Sequence, residues 1–203
     1  MKVILAHDSY TQYGGAERVL EGMKDLYPDA PIYTLVVDKR MKWHISDWNV
    51  ITSPLQKIYN LYGNMQHLFG LIPFILPFWK LEKADLLLSS SSAYLKGLRK
   101  TKGMVHVDYC HTPTRCIWTD YEYALHEVTP LLRPIAKLYL WWLKKWDYNA
   151  AQKVDHFLVN GLEVQSRLKK YYNRDSEILH PFIDVEFWSP TGEKGDFCLI
   201  AGS

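Results

Sequence analysis

Cysteine is scarce in this 203-residue chain: there are three, an odd number, and no C-x-x-C pair. That argues against a disulfide-stapled scaffold and for a reducing compartment. Net charge is small too. Lys and Arg number 24 against 22 Asp and Glu, and the resulting +2 gives no reason of its own to expect nucleic acid. Apolar runs of spanning length are missing. The most apolar stretch, residues 68–79, is shorter than the ~20 residues a transmembrane helix requires and is broken by Pro73 and Pro77. Only Lys2 separates the initial Met from a core strand and no small-residue cleavage site follows, so no signal peptide is expected and the expected location is cytoplasmic. The dinucleotide fingerprint G-x-G-x-x-G is absent as well: Gly14 and Gly15 are adjacent, and Gly22 comes two turns into the following helix.

What is present is a folded, aromatic-rich composition. Charged residues make up 23% and apolar residues 48%, and there are eight Trp and 14 Tyr, side chains that suit sugar surfaces, lipid headgroups and large cores alike. The chain opens on an apolar strand, Lys2 to His7, and passes through a polar loop into Gly14-Gly15, where a helix to about Tyr27 begins. A strand followed by a glycine-marked helix start aims unpaired N–H groups and the positive end of the helix dipole above the sheet, a position that favours phosphate. A Gly-Gly loop also serves simple turn and cap chemistry. Asp38 stands about where a ribose-binding carboxylate would follow a second strand, which keeps a nicotinamide-type reading open.

Further short apolar runs predict strands at 32–37, 49–52, 85–90, 104–110 and 156–160, mostly separated by segments long enough for crossover helices. The pattern predicts an α/β, Rossmann-like, doubly wound and mostly parallel sheet covered on both faces. Ligands of such sheets bind beyond the carboxyl ends of the strands. The residues there are polar: His7-Asp8-Ser9, Ser89 to Ser92, His111-Thr112-Pro113 and Asn160-Gly161. Residues 1–180 are expected to form this domain, with 181–203 a linker and the first strand, from about Asp196, of a second domain.

Pro113 holds Thr112 extended and ends the fifth strand, leaving His111 at the lip of the sheet. A histidine there can serve a ligand by hydrogen bonding or proton transfer, or simply cap the loop. Cys110 beside it is no nucleophile–base partner, because neighbouring strand residues face opposite ways, and Cys110, His111 and Cys116 lack a fourth zinc ligand.

Four segments carry a resemblance: Gly14-Gly15-Ala16-Glu17-Arg18; Tyr109-Cys110-His111-Thr112-Pro113 with Arg115 and Trp118; Asn160-Gly161-Leu162-Glu163-Val164-Gln165; and His180 to Pro190. Together they resemble a group 1, family 4 glycosyltransferase, with most likeness to polysaccharide mannosyltransferases, over the family's N-terminal half. The resemblance implies a GT-B enzyme of two Rossmann-like domains, acceptor on the first and nucleotide-sugar donor on the second, retaining in stereochemistry and with neither cofactor nor catalytic metal. It implies that Gly15, with Gly14 freeing the turn, offers its N–H to the donor diphosphate. It sets His111 beside the transferring sugar, Arg115 on the acceptor side, and Asn160 and Gly161 at the far border of the acceptor cleft. The donor it implies is GDP-mannose and the acceptor a lipid-linked or polysaccharide glycan. The family's diphosphate-binding Arg and Lys and paired Glu belong to the second domain, so this chain is expected to be inactive alone.

At ~100° per residue, Leu131 to Trp146 places Leu131, Leu132, Ile135, Ala136, Leu138, Tyr139, Trp142, Leu143 and Trp146 on one broad face, with Arg133, Lys137 and Lys144 opposite, Trp141 at the border and Lys145 nearby. Such a helix either packs into a core or lies on an anionic membrane, with residues 68–79 as a second candidate for contact. The rival readings are a non-catalytic half that recruits a donor-binding chain or binds glycan at the membrane, and a nicotinamide-dependent oxidoreductase.

Overall fold

The computed structural model describes residues 1–64 and 66–182. The strand expected from Asp196 lies outside the described residues. Seven strands form one parallel sheet in the order β3-β2-β1-β4-β5-β6-β7. They are β1 (Val3–His7), β2 (Ile32–Thr34), β3 (Val50–Thr52), β4 (Leu86–Ser91), β5 (Val105–Cys110), β6 (His156–Val159) and β7 (Glu177–Ile178). The helices are α1 (Gly15–Leu26), α2 (Leu55–Tyr62), α3 (Ile72–Ile75), α4 (Arg115–Trp118), α5 (Tyr121–His126), α6 (Arg133–Ala151) and α7 (Leu162–Tyr172). The doubly wound expectation is met, with two local differences: the chain makes only a 3₁₀ segment, Lys39–Ile45, between β2 and β3, and a 3₁₀ turn, Leu95–Gly97, between β4 and β5, in place of a crossover α-helix.

β1 is buried at every position, as a central strand covered on both faces must be. Its alternation sorts the core. Val3 and Leu5 join Val19, Leu20 and Met23 of α1, whereas Ile4 and Ala6 face a larger cluster with Leu55, Ile72, Leu76 and Leu143. The same parity continues into the polar ends of the strands. His7, Ser90, Tyr109 and His111 fall on the α1 side, and Ser89, Ser91, His106 and Asp108 fall on the other.

β1 and β4 are neighbours although 83 positions separate His7 from Ser90, which are paired across them. Strand order reverses here, with β2 and β3 added to one side of β1 and β4 to β7 to the other. A doubly wound sheet opens a crevice at such a switch point.

The apolar faces read from the sequence divide in space. The carboxyl half of α6 packs inward through Leu143, with Tyr139, Trp142 and Trp146 half-buried. Its amino half and the 3₁₀ turn before it leave Leu131 86%, Ile135 68% and Leu138 67% exposed. Residues 68–79 form no continuous helix: Pro73 and Pro77 split them into α3 between 3₁₀ turns. Phe74 of α3 stacks on Trp142 at 5.1 Å, and Tyr139 donates to the Gly70 carbonyl at 2.8 Å, joining the two stretches. Among the described residues no helix is long and apolar enough to cross a membrane.

Candidate active site at the strand-switch crevice

Three loops meet above the sheet, those that follow β1, β4 and β5. α1 begins at Gly15 with Gly14 in extended backbone before it, and Glu17 reaches back so that its Oε2 accepts the Gly14 N–H at 2.9 Å. This is half of a capping box, and it fixes the angle at which the turn enters the helix. A Cβ on Gly14 would lie 3.3 Å from that carboxylate oxygen, whereas one on Gly15 would meet nothing within 4 Å. The flank of Gly15 is therefore open to an approaching ligand.

The other Glu17 oxygen, Oε1, faces His7 Nε2 at 3.5 Å. His7 Nδ1 lies 3.2 Å from Ser90 Oγ, which in turn lies 2.8 Å from His111 Nε2. One unbroken path thus joins the glycine turn to the loop histidine. It runs through three almost fully buried side chains, Glu17, His7 and Ser90. Burial raises the Glu17 carboxyl, but the contact with His7 and the backbone N–H groups outweigh it and hold the carboxyl below its usual range. Burial, assisted by nearby His7, pushes His111 down to about 4, so its imidazole is neutral at physiological pH. The His111 backbone N–H is anchored on the Ser91 carbonyl at 2.8 Å, and its ring meets Tyr109 edge-on.

Asp8 occupies the backbone that the serine run might have offered to an anion. Its Oδ2 accepts from Ser92 N at 2.5 Å and Ala93 N at 2.8 Å, and its Oδ1 from Leu95 N at 3.1 Å. The carboxylate is thus a built-in cap on the loop after β4. That leaves the α1 start as the better anion position.

The loop that carries His111 is held from beneath. Asp147 of α6 accepts from Thr114 Oγ1 at 2.9 Å, Trp118 Nε1 at 2.7 Å and Tyr172 OH at 2.6 Å, and pairs with Lys96 Nζ at 3.0 Å. One carboxylate gathers the segment after β4, the turn before α4, α4 itself and α7. Asp147 sits four residues after Leu143 on the packed face of α6, an acidic residue in an apolar stripe, and that placement was its only trace in the sequence. On the same side of the sheet Ser89 donates to Asp108, Ser91 Oγ donates to Asp108 at 2.8 Å, and His106 Nε2 lies 2.8 Å from Ser89 Oγ.

The other expected site residues lie off the Gly14-to-His111 path. Arg115 opens α4 with its guanidinium held by Asp120 at 2.8 and 2.9 Å. Asn160 uses its carbonyl to meet His180 Nδ1 at 3.0 Å, and Gly161 caps α7 with open space where a Cβ would stand. Asp38 is engaged by Arg40 Nε at 3.0 Å, Arg40 Nη2 at 3.1 Å and Tyr59 OH at 2.7 Å. Those contacts hold its carboxyl well below the usual range and leave it poorly placed to receive a ribose. Cys110 is fully buried and Cys116 lies 3.6 Å from Tyr94 OH. Among the described residues no group of three His, Cys, Asp or Glu side chains could hold a metal ion.

The family model for Glycosyltransferase Family 4 matches residues 13–187, from just before the glycine turn to beyond the last described residue. The chain belongs to glycosyltransferase family 4. Two crystal structures of Anabaena Alr3699/HepE, one in complex with UDP and one with UDP and glucose, share its fold. Each has a TM-score of 0.54 over 94% of this chain, at 11% and 13% identity, and 47% of the HepE chain is covered. This family 4 chain thus spans about half the length of those relatives and has the α/β architecture of one half of a GT-B fold. No curated protein matches it.

Proposed function

We propose that this chain is the acceptor-side domain of a retaining glycosyltransferase that transfers a sugar from a nucleotide-sugar donor. The observation that carries the reading is the path from Gly14 through Glu17, His7 and Ser90 to His111, set at the strand-switch crevice of a family 4 domain. Gly15 would present its N–H to the donor diphosphate, and the positive end of α1 would favour the charge that collects there on departure. The acceptor hydroxyl attacks the anomeric carbon on the face the diphosphate leaves. As the new C–O bond forms and the sugar–phosphate bond breaks, the hydroxyl proton passes to a donor phosphate oxygen. His111 is neutral and contributes by hydrogen bonding to the transferring sugar. The residues from 181 onward would link to the donor-binding domain that completes the site.

GDP-mannose is the donor that the resemblance to polysaccharide mannosyltransferases implies, and the UDP and glucose held by HepE make UDP-glucose the second candidate. A lipid-linked acceptor fits the apolar, basic-flanked surface of α6, where Lys145 Nζ lies 3.7 Å above the Trp141 ring. The deciding experiment assays the full-length protein, donor-binding half included, with GDP-mannose and UDP-glucose against a polyprenyl-diphosphate-linked sugar. Transfer from either donor, and its loss in His111→Ala without loss of folding, is the expected result. Absence of transfer from any of a wider nucleotide-sugar panel, or near wild-type turnover in His111→Ala, would overturn it.

A further inference from the structure

The path behind His111 has a direction, because one end of it can only accept. An ionised carboxylate has no proton to give, so Glu17 Oε1 requires an N–H on His7 Nε2. With that single proton on Nε2, His7 has a bare Nδ1, which must accept from the Ser90 hydroxyl. Ser90 has one proton, and once it points at His7 its oxygen can only accept from His111, which must therefore carry its own proton on Nε2. Nδ1 of His111 remains unprotonated and has no partner among the described residues.

We infer that Glu17 is a positioning residue: acting through His7 and Ser90, it selects the His111 tautomer whose bare Nδ1 is offered to the ligand as a hydrogen-bond acceptor. The assignment needs the four side chains, their burial and a single proton on His7. Its use in sugar transfer rests on the function proposed above, where an acceptor nitrogen would take a hydrogen bond from a hydroxyl of the transferring sugar. Glu17 also holds the Gly14 N–H, so one carboxylate sets both the phosphate turn and the histidine.

The arrangement makes a distinctive expectation for Glu17→Gln. The new amide oxygen keeps the Gly14 N–H, which leaves the amide NH₂ facing His7 Nε2. His7 must then accept there and carry its proton on Nδ1. That reverses the Ser90 hydroxyl toward His111 Nε2, and His111 must move its proton to Nδ1. A near-isosteric change ten residues from His7 thus inverts two imidazoles in sequence.

Long-range ¹H–¹⁵N spectra of histidine-labelled protein at neutral pH read this directly, with His7→Gln and His111→Gln assigning the resonances. In the wild type, His7 and His111 should both show a protonated Nε2 and a bare Nδ1. In Glu17→Gln both should switch, and in Glu17→Gln with Ser90→Ala the His111 switch should be lost while that of His7 persists. An unchanged His111 tautomer in a folded Glu17→Gln protein, or a switch that survives loss of the Ser90 hydroxyl, would overturn the inference. Turnover separates this from the functional reading. If the tautomers switch as described but His111→Ala transfers sugar normally, the path stands and the catalytic reading falls.

Discussion

Lys96 and Asp147 form an ion pair at 3.0 Å with both side chains wholly removed from solvent. Burial alone would lower the Lys96 ammonium, but Asp147 outweighs it and raises the group above its ordinary value. Breaking such a pair from one side leaves a buried charge without its partner, at a cost of about 3–5 kcal/mol, whereas replacing both members with apolar groups costs far less. Asp147→Leu should therefore destabilise the chain by that amount, and Lys96→Met with Asp147→Leu should recover a substantial part. Denaturant unfolding checks this. A double variant less stable than both single variants would mean that Asp147 acts chiefly through Thr114, Trp118 and Tyr172.

Gly97 lies against the Trp146 ring, so close that an added Cβ would be 2.6 Å from it. Gly97→Ala should push α6 away from the segment after β4 and cost about 1–3 kcal/mol, the usual penalty of overpacking. A thermal melt of the variant shows the loss, and an unchanged midpoint would mean that the Trp146 ring moves aside freely.

Acid should weaken the fold already above the pH range in which ordinary carboxylates protonate. Burial, with the charge of Lys100, holds His106 down to about 3, and burial with His7 nearby holds His111 down to about 4. As pH falls below about 6.5 the unfolded chain takes up protons on both histidines while the folded chain does not, so stability falls. Asp108, raised by burial to about 6, opposes this below that pH because the folded state then holds the extra proton. Between about pH 6 and 4.5 the net difference is roughly one proton, a slope of about 1.4 kcal/mol per pH unit. Unfolding free energies measured across that window should fall toward acid, and a flat profile would contradict the buried neutral histidines.

The outer face of α6 provides a test of membrane contact. With the apolar side chains at 135, 138 and 141 beside Lys137, Lys144 and Lys145, binding to vesicles of phosphatidylcholine with phosphatidylglycerol should exceed binding to phosphatidylcholine alone and should weaken with salt. Leu138→Ser with Trp141→Ser should reduce sedimentation with vesicles severalfold without lowering the melting temperature. Equal binding by the variant would remove α6 from that role.

NAD should not bind. Asp38, the candidate ribose ligand, is committed to Arg40 and Tyr59, and the glycine turn lacks the fingerprint spacing. A calorimetric titration showing micromolar affinity would restore the oxidoreductase reading.

The parallel sheet was legible because buried strands write themselves as short apolar runs, and β1, β4 and β5 fall within a residue or two of where those runs predict them. β7 was not, since two residues leave no periodicity to read. At the site, His111 and the glycine pair were visible from their positions after strands. Ser90, His7 and Glu17 were visible only as polar or turn residues, because their connection depends on β1 lying beside β4. Strand order is set by long-range packing and has no local mark. The α6 stripe misled in part for the opposite reason: periodicity shows which residues share a face and not how far along the helix that face stays covered.

Gly22 of α1 leaves a notch in which the ring of Phe182 sits; a methyl group there would come within 2.3 Å of it. The last described side chain therefore rests on the helix that starts at the glycine turn, and a bulkier residue at position 22 would displace the Phe182 ring without touching any group in the crevice itself.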